Sequence, residues 1–232
     1  MTRLIKPPGK FEILGILVGL NGENPLQLIE LAGRTAYQSY HKISPGSAEK
    51  FVEMLRRRGH ESVLEHSAMT VKFSNVSRGF THQLVRHRLA SYTQESTRYV
   101  DKRELALVLP PHRDSKETVE LTLPDGQTIN ITLKGWVNLN EQVYRELRNK
   151  SWLPEDARQF LPIGIATQIT ITANFREWRH IFELRCAPEA HWEIRLLMVQ
   201  VLKGVQEGIP VIFDDFEIAE DESYAVRKEG SS

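Results

Sequence analysis

The apolar pattern of this chain changes period repeatedly and never settles into the regular strand–helix–strand alternation of a doubly wound sheet. Residues 10–19, KFEILGILVG, are apolar and β-branched enough for a strand. Asn24-Pro25 then reads as an N-cap followed by proline in the first turn of a helix that continues as LQLIELAGRTAYQS. Ser47 opens a second helix, AEKFVEMLRRR, which Gly59 stops. Residues 67–73 predict a strand with Met69, Val71 and Phe73 on one face and Ala68, Thr70 and Lys72 on the other. A helix is predicted from Ser77 to about Arg88. On it Phe80, Leu84 and the stem of Arg88 share one face, and Gln83, Arg86 and His87 share another. VELTL and TINITL alternate on either side of Pro124-Asp125-Gly126, so 119–133 is the clearest hairpin and a self-contained excursion. Residues 137–149 and 154–160 read as helices, ATQITITANF as a strand, and 176–186 and 189–206 as helices. The fold class predicted from this mixture is α+β.

Length and charge narrow the function classes. A chain of 232 residues makes one large domain or two small ones and buries a real core. Lys+Arg and Asp+Glu are 30 each, so any basic patch must be local and a general nucleic-acid coat protein is disfavoured. One cysteine, Cys186, permits no intramolecular disulfide. No apolar run is long enough to span a bilayer, and MTRLIKPPGK lacks the apolar core of a secretory signal. The expectation is a cytoplasmic protein with no membrane partner, a main domain over 1–222 and a polar, frayed tail over 223–232. Neither GxGxxG nor GxxxxGK[ST] occurs, which leaves a Rossmann site or a P-loop without support.

The densest polar cluster runs from Arg86 to Tyr99, RHRLASYTQESTRY. Arginine suits bidentate contact with phosphate, and hydroxyl side chains add neutral donors. The pattern fits a phosphate or nucleotide grip. It equally fits a solvated basic helix end, which composition alone favours, or an RNA patch with Tyr92 and Tyr99 as stacking platforms, which zero net charge disfavours. His60-Glu61 and Glu65-His66 invite a metal reading. Leu64 breaks the zincin spacing and Ser62 the inverted form, so no metal is expected.

Arg86-His87-Arg88, seven residues, then Ser96 resembles the signature of flavin-dependent thymidylate synthases, and Arg98-Tyr99 continue it. Gly59-His60-Glu61-Ser62 with Glu65-His66 is similar to the family's upstream histidine segment. Ala157-Arg158 with Leu161-Pro162 resembles a downstream one. Asn174-Phe175-Arg176, His180, Leu184-Arg185 and Trp192-Glu193-Ile194 resemble its C-terminal helical block. Similarity thus runs in ordered blocks from about Arg34 to Ile194. Thr93-Gln94 stand where the family often has Asn-Glu, His180 where some members have Asn, and Glu189 where some have His.

The resemblance implies mostly antiparallel sheet wrapped by helices, with the 119–133 hairpin as an extra. It implies methylation of dUMP to dTMP with methylenetetrahydrofolate as carbon donor and NADPH-reduced FAD as hydride source, in a homotetramer. By resemblance, Gln83, Arg86, Gln94, Ser96, Thr97, Arg98, Arg158 and Arg185 would contact dUMP. His60, Arg86, His87, Arg88, Gln94, Asn174, Arg176 and His180 would hold FAD. Arg185 would lie against the uracil edge as the catalytic residue, and it lies on a different side of its helix from Arg176. Cys186 is expected to be a packed small hydrophobe and not a nucleophile. The reading from a different class is a nucleotide- or RNA-binding module without catalysis, which would not need Asn174, Arg176, His180 and Arg185 in this order.

Overall fold

The computed structural model describes residues 2–228. In chain order the first elements are β1 (Arg3–Ile5), β2 (Lys10–Ile16), α1 (Pro25–Thr35), α2 (Ser47–Arg57), β3 (Ala68–Ser77), α3 (Arg78–Leu84), β4 (Ala90–Gln94) and β5 (Ala106–Val108). There follow β6 (Thr118–Thr122), β7 (Thr128–Thr132), α4 (Leu133–Asn149), α5 (Pro154–Ala157), β8 (Ala166–Asn174), α6 (Phe175–Arg185), α7 (Trp192–Gly208), α8 (Pro210–Phe213), β9 (Phe216–Ile218) and β10 (Ala225–Arg227). The main sheet is antiparallel with strand order β2-β3-β8-β4. Helices wrap it, so the architecture is α+β.

Two compact units share the chain. One takes the residues up to Lys10, Phe73–Gln83 and Gln94–Ile169; the other takes Phe11–Lys72, Leu84–Thr93 and Thr170 onward. In the second unit Asn24 caps α1 through a capping box with Gln27, as Asn24-Pro25 predicts. Glu30, buried on α1, accepts hydrogen bonds from Arg34 and from Ser47 at the start of α2. A side chain at Gly33 would meet the Phe51 ring at 2.7 Å, so only glycine lets the two helices approach this closely. Met69, Val71 and Phe73 are buried on the expected face of β3. The indole of the buried Trp178 donates to the carbonyl of Met69, which joins α6 to β3. Phe182 packs against both Trp178 and Phe213 at 5.5 Å between ring centroids.

A buried ion network closes the same unit. The Arg179 guanidinium, 3% exposed, donates to both carboxylate oxygens of Asp215. Arg56 and Arg227 also reach Asp215, and Arg227 and Arg179 reach Glu61. Burial alone would push the Asp215 carboxyl up; the hydrogen bonds from Arg179 and the charges of Arg179, Arg56 and Arg227 outweigh it and hold it below the ordinary range.

In the first unit the β6–β7 hairpin forms with Gly126 at φ +83°, as Pro124-Asp125-Gly126 requires. Thr132 then caps α4. Buried Glu141 on α4 accepts from Thr2 and from the backbone N–H of Leu105, next to the parallel pair β1–β5.

Two local expectations are corrected. The helix predicted over Ser77 to Arg88 ends at Leu84, so Arg86-His87-Arg88 form a turn and the proposed helical faces do not extend to them. The Tyr92 hydroxyl lies 2.9 Å from the Leu84 carbonyl and 2.7 Å from that of His87, positions that a continuing helix would use for its own bonds. Strand β4 then takes up Ala90–Gln94 of the polar cluster. The predicted frayed tail is paired at Ala225–Arg227 with Phe216–Ile218, because Arg227 is drawn to Asp215 and Glu61; Glu229 to Ser232 lie outside the described residues.

Candidate active site

The turn after α3 and the first face of α6 line one cavity of about 820 Å³ in the second unit. Asn174 caps α6 by accepting from the backbone N–H of Glu177 at 2.8 Å, which fixes where the helix starts. Arg176 and His180 follow at i,i+4 spacing and both line the cavity. Arg185, expected on another side of the helix, lines it as well, so the cavity runs past the end of α6.

At its centre Arg185 Nε donates to His87 Nε2 at 2.9 Å. That bond requires a lone pair on Nε2, so His87 is the neutral tautomer with its proton on Nδ1. The His87 ring is buried and packs edge-on to His180 at 5.6 Å. Burial first, then the charges of Arg185 and His180, push His87 down to about 4. The Glu177 carboxylate is 3.7 Å from Nδ1, beyond hydrogen-bond distance, and its own carboxyl is pushed up by burial. Burial, followed by the charge of Arg86, lowers Arg185, which still stays protonated at neutral pH. Tyr92 is pushed up to about 12 by burial and by Glu177, so its phenol is a neutral donor.

Arg86 and Arg88 are exposed on this turn and neither takes part in an ion pair among the described residues. Their charge is open to an anion. By contrast Arg176 is paired with Glu65, and Arg179 and Arg227 are committed to Glu61 and Asp215. The donor set is right for a dinucleotide cofactor, whose diphosphate calls for arginine.

A second cavity, of about 400 Å³, lies within the first unit and is lined by Arg78, His82, Thr97 and Arg158 among others. Arg158 donates to the Thr97 hydroxyl at 3.3 Å and to the carbonyl of Glu155 at 3.2 Å. The Nη1 atom of Arg78 is buried and has no hydrogen-bond partner. Burial, then the neighbouring charge of Arg158, pulls Arg78 below its ordinary value. Two guanidiniums, one with an idle buried N–H, make a cavity whose charge and donors suit an anion. Nearby, the Gln94 amide donates to Thr81, and Ser96 accepts from the backbone N–H of Arg98. The Arg98 side chain is exposed and paired with Glu155 at 2.7 Å.

The family profile described as thymidylate synthase complementing protein matches residues 17–211. A flavin-dependent thymidylate synthase of Mycolicibacterium vanbaalenii is 35% identical over 199 residues, spanning 82% of this chain and 79% of that protein. One of Mycobacteroides abscessus is 36% identical over 202 residues, with 83% and 80% covered. The chain belongs to the flavin-dependent thymidylate synthase family. It is therefore an enzyme of that family, and the reading as a non-catalytic binding module falls. Its fold is also that of a UMP/dUMP methylase, PolB, from Streptomyces cacaoi bound with 5-Br dUMP. That structure superposes with a TM-score of 0.69 at 21% identity over 91% of this chain and 95% of the other.

Of the positions carried over from flavin-dependent thymidylate synthases, Arg86, His87, Arg88, Asn174, Arg176, His180 and Arg185 share the larger cavity. Thr97 and Arg158 share the smaller one. Gln83, Gln94, Ser96 and Arg98 line neither, and His60 lines a third cavity, of about 710 Å³. Arg78 and His82 were missed, although their i,i+4 spacing on a short helix was a readable signal. Glu61, Arg179 and Arg227 were missed too, and there the pairing across more than a hundred residues left no local pattern. Among the described residues no group of His, Cys, Asp and Glu is arranged to hold a metal ion, and no helix is long and apolar enough to cross a membrane.

Proposed function

We propose that the chain carries out reductive methylation of dUMP to dTMP, with FAD held in the larger cavity, methylenetetrahydrofolate giving the carbon and NADPH giving the electrons. The observation that carries this reading is the turn at Arg86-His87-Arg88. It offers two arginines that make no ion pair among the described residues, beside a neutral histidine that accepts from Arg185. In this reading Arg86, His87, Arg88, Asn174, Arg176 and His180, which line that cavity, bind the flavin; Gln94 and His60 do not line it and keep a flavin role only by resemblance to the family. Bound flavin supplies the hydride; the protein supplies position and charge.

The dUMP contacts fall to Gln83, Arg86, Gln94, Ser96, Thr97, Arg98, Arg158 and Arg185. The idle N–H of Arg78 beside Arg158 adds Arg78 to the phosphate grip. Arg185 is the catalytic residue. It remains a cation, so it favours negative charge on the pyrimidine without giving up a proton. His87 accepts from Nε and so fixes the orientation of the Arg185 guanidinium. We further propose that the working form is a homotetramer.

The test is anaerobic incubation of the protein with dUMP, methylenetetrahydrofolate, NADPH and FAD, scoring dTMP. Formation of dTMP that depends on every component is expected. A folded sample that binds no flavin at excess FAD sinks the reading.

A further inference from the structure

The 710 Å³ cavity of the second unit is built from α1, α2 and the segment between them, and none of its lining residues is acidic. Lys42, Lys50 and Arg58 line it, and none of the three makes an ion pair among the described residues. Lys50 and Arg58 are eight residues apart, about 12 Å along the helix axis and about 80° around it, a gap within the combined reach of two long side chains that grip one phosphate. Arg34 is already spent, paired with Glu30 and stacked 3.9 Å over the Phe51 ring. Tyr37, whose ring is largely exposed, and Phe51 with Met54 and Leu55 give the wall an apolar part, beside polar groups such as Ser39, Ser44 and His60. Cations two turns apart beside an exposed aromatic ring suit an aromatic base carrying phosphates. A chain of glutamates would use the cations and leave the apolar wall without a partner.

We propose that this cavity binds the adenosine end of the reducing dinucleotide and that Lys50 and Arg58 select its 2′-phosphate. The chemistry separates the two nicotinamide dinucleotides. Recognition of an unphosphorylated ribose uses a carboxylate on the 2′-hydroxyl, whereas a 2′-phosphate needs a cation there. A wall with unpaired cations and no carboxylate accepts the phosphorylated form. This deepens the function proposed above and rests on NADPH being the electron source.

The test uses the FAD-loaded full chain and the double variant Lys50→Ala/Arg58→Ala. Anaerobic bleaching of the flavin is followed with NADPH and with NADH, and dTMP formation is measured separately with dithionite as reductant. The variant is expected to raise the KM for NADPH by at least about tenfold, the loss typical of one charge-assisted contact. The KM for NADH, the Kd for FAD and dithionite-driven dTMP formation should stay as in the wild type, and Lys50→Arg should keep NADPH affinity. An unchanged ratio of NADPH to NADH KM overturns the proposal. So does weakened FAD binding, which would assign the cations to the flavin diphosphate. A change seen only as the number of glutamates on the folate varies would assign them to the folate tail. Wild-type protein that makes no dTMP with dithionite would defeat the proposed activity instead, and the two bleaching curves would still report the dinucleotide preference.

Discussion

Arg185 and His87 fix each other, and the consequences differ for the two residues. Arg185 is expected to act on the chemical step. Arg185→Ala should keep FAD and lose turnover by about 2–4 kcal/mol in the barrier, the usual effect of removing a preorganised donor. Single-turnover kinetics with flavin-loaded protein check this, and near-normal turnover would reduce Arg185 to a packing cation. His87 carries a pH signature. Its folded value near 4 lies below the unfolded value of 6.5, so between those limits the unfolded chain binds the extra proton. Folding stability from this group is intact above 6.5 and falls by about 1.4 kcal/mol per pH unit as pH drops toward 4. Urea unfolding of His87→Gln against wild type should show a shallower decline across that window; parallel curves would mean His87 titrates normally. Cys186 is the residue where a different mechanism would show itself, since a thiol could add to the uracil ring. Its side chain is fully buried and its thiol is pushed up by burial, so no thiolate is at hand. Cys186→Ala should melt somewhat lower and still form dTMP, and a folded but inactive variant would refute this.

The elements that sequence pattern describes well are those closed by their own neighbours. Asn24-Pro25 sets the start of α1, and Pro124-Asp125-Gly126 sets the β6–β7 turn. Met69, Val71 and Phe73 set the buried face of β3. The cluster from Arg86 to Arg98 was legible as chemistry but not as structure, because the end of α3 is decided by a hydroxyl from the next strand. Burial of Tyr92 against the Leu84 and His87 carbonyls turns the chain there and presents Arg86 and Arg88 outward. The placement of His60 in a separate cavity was likewise beyond local pattern, since it depends on how α1 packs on α2. The prediction at this scale is that Tyr92→Phe loosens the turn with the apolar core intact. One lost hydrogen bond costs about 0.5–1.5 kcal/mol, rising to about 1–3 kcal/mol if a buried carbonyl is left without a partner. The melting temperature should fall modestly while FAD affinity falls more. A variant that loses stability but binds FAD as tightly as wild type would show that Tyr92 does not hold the turn.

For the molecule as a whole, the segment that begins at β2 is the part the chain leaves unsatisfied. β2 stands at the end of the sheet order, and an edge strand presents unpaired backbone groups. Here the edge is also apolar: Leu14 is 49% exposed, Leu17 51% and Val18 60%, with Leu20 beyond them. Scattered exposed leucines need no explanation, but several within seven residues on an edge form a patch that water disfavours. The run LGILVGL over residues 14–20 contains no proline and no charge, and charged residues stand only beyond its ends, Lys10 and Glu12 before it and Glu23 after it. Such an edge in a lone protein invites aggregation, and the orderly alternative is a closed assembly in which the same patch meets a second copy across a symmetry axis. That suits the proposed homotetramer, and this edge is expected to be one of its contacts. Leu17→Glu with Val18→Glu places two charges in the middle of the patch. Both side chains are exposed within the protomer, so the subunit should fold and keep its circular dichroism spectrum. Light scattering should then show species smaller than a tetramer, with dTMP formation lost in step as the protein is diluted. A doubly substituted protein that keeps the wild-type mass and activity would remove this edge from the interface. A small species with full activity would instead count against the tetramer as the working form.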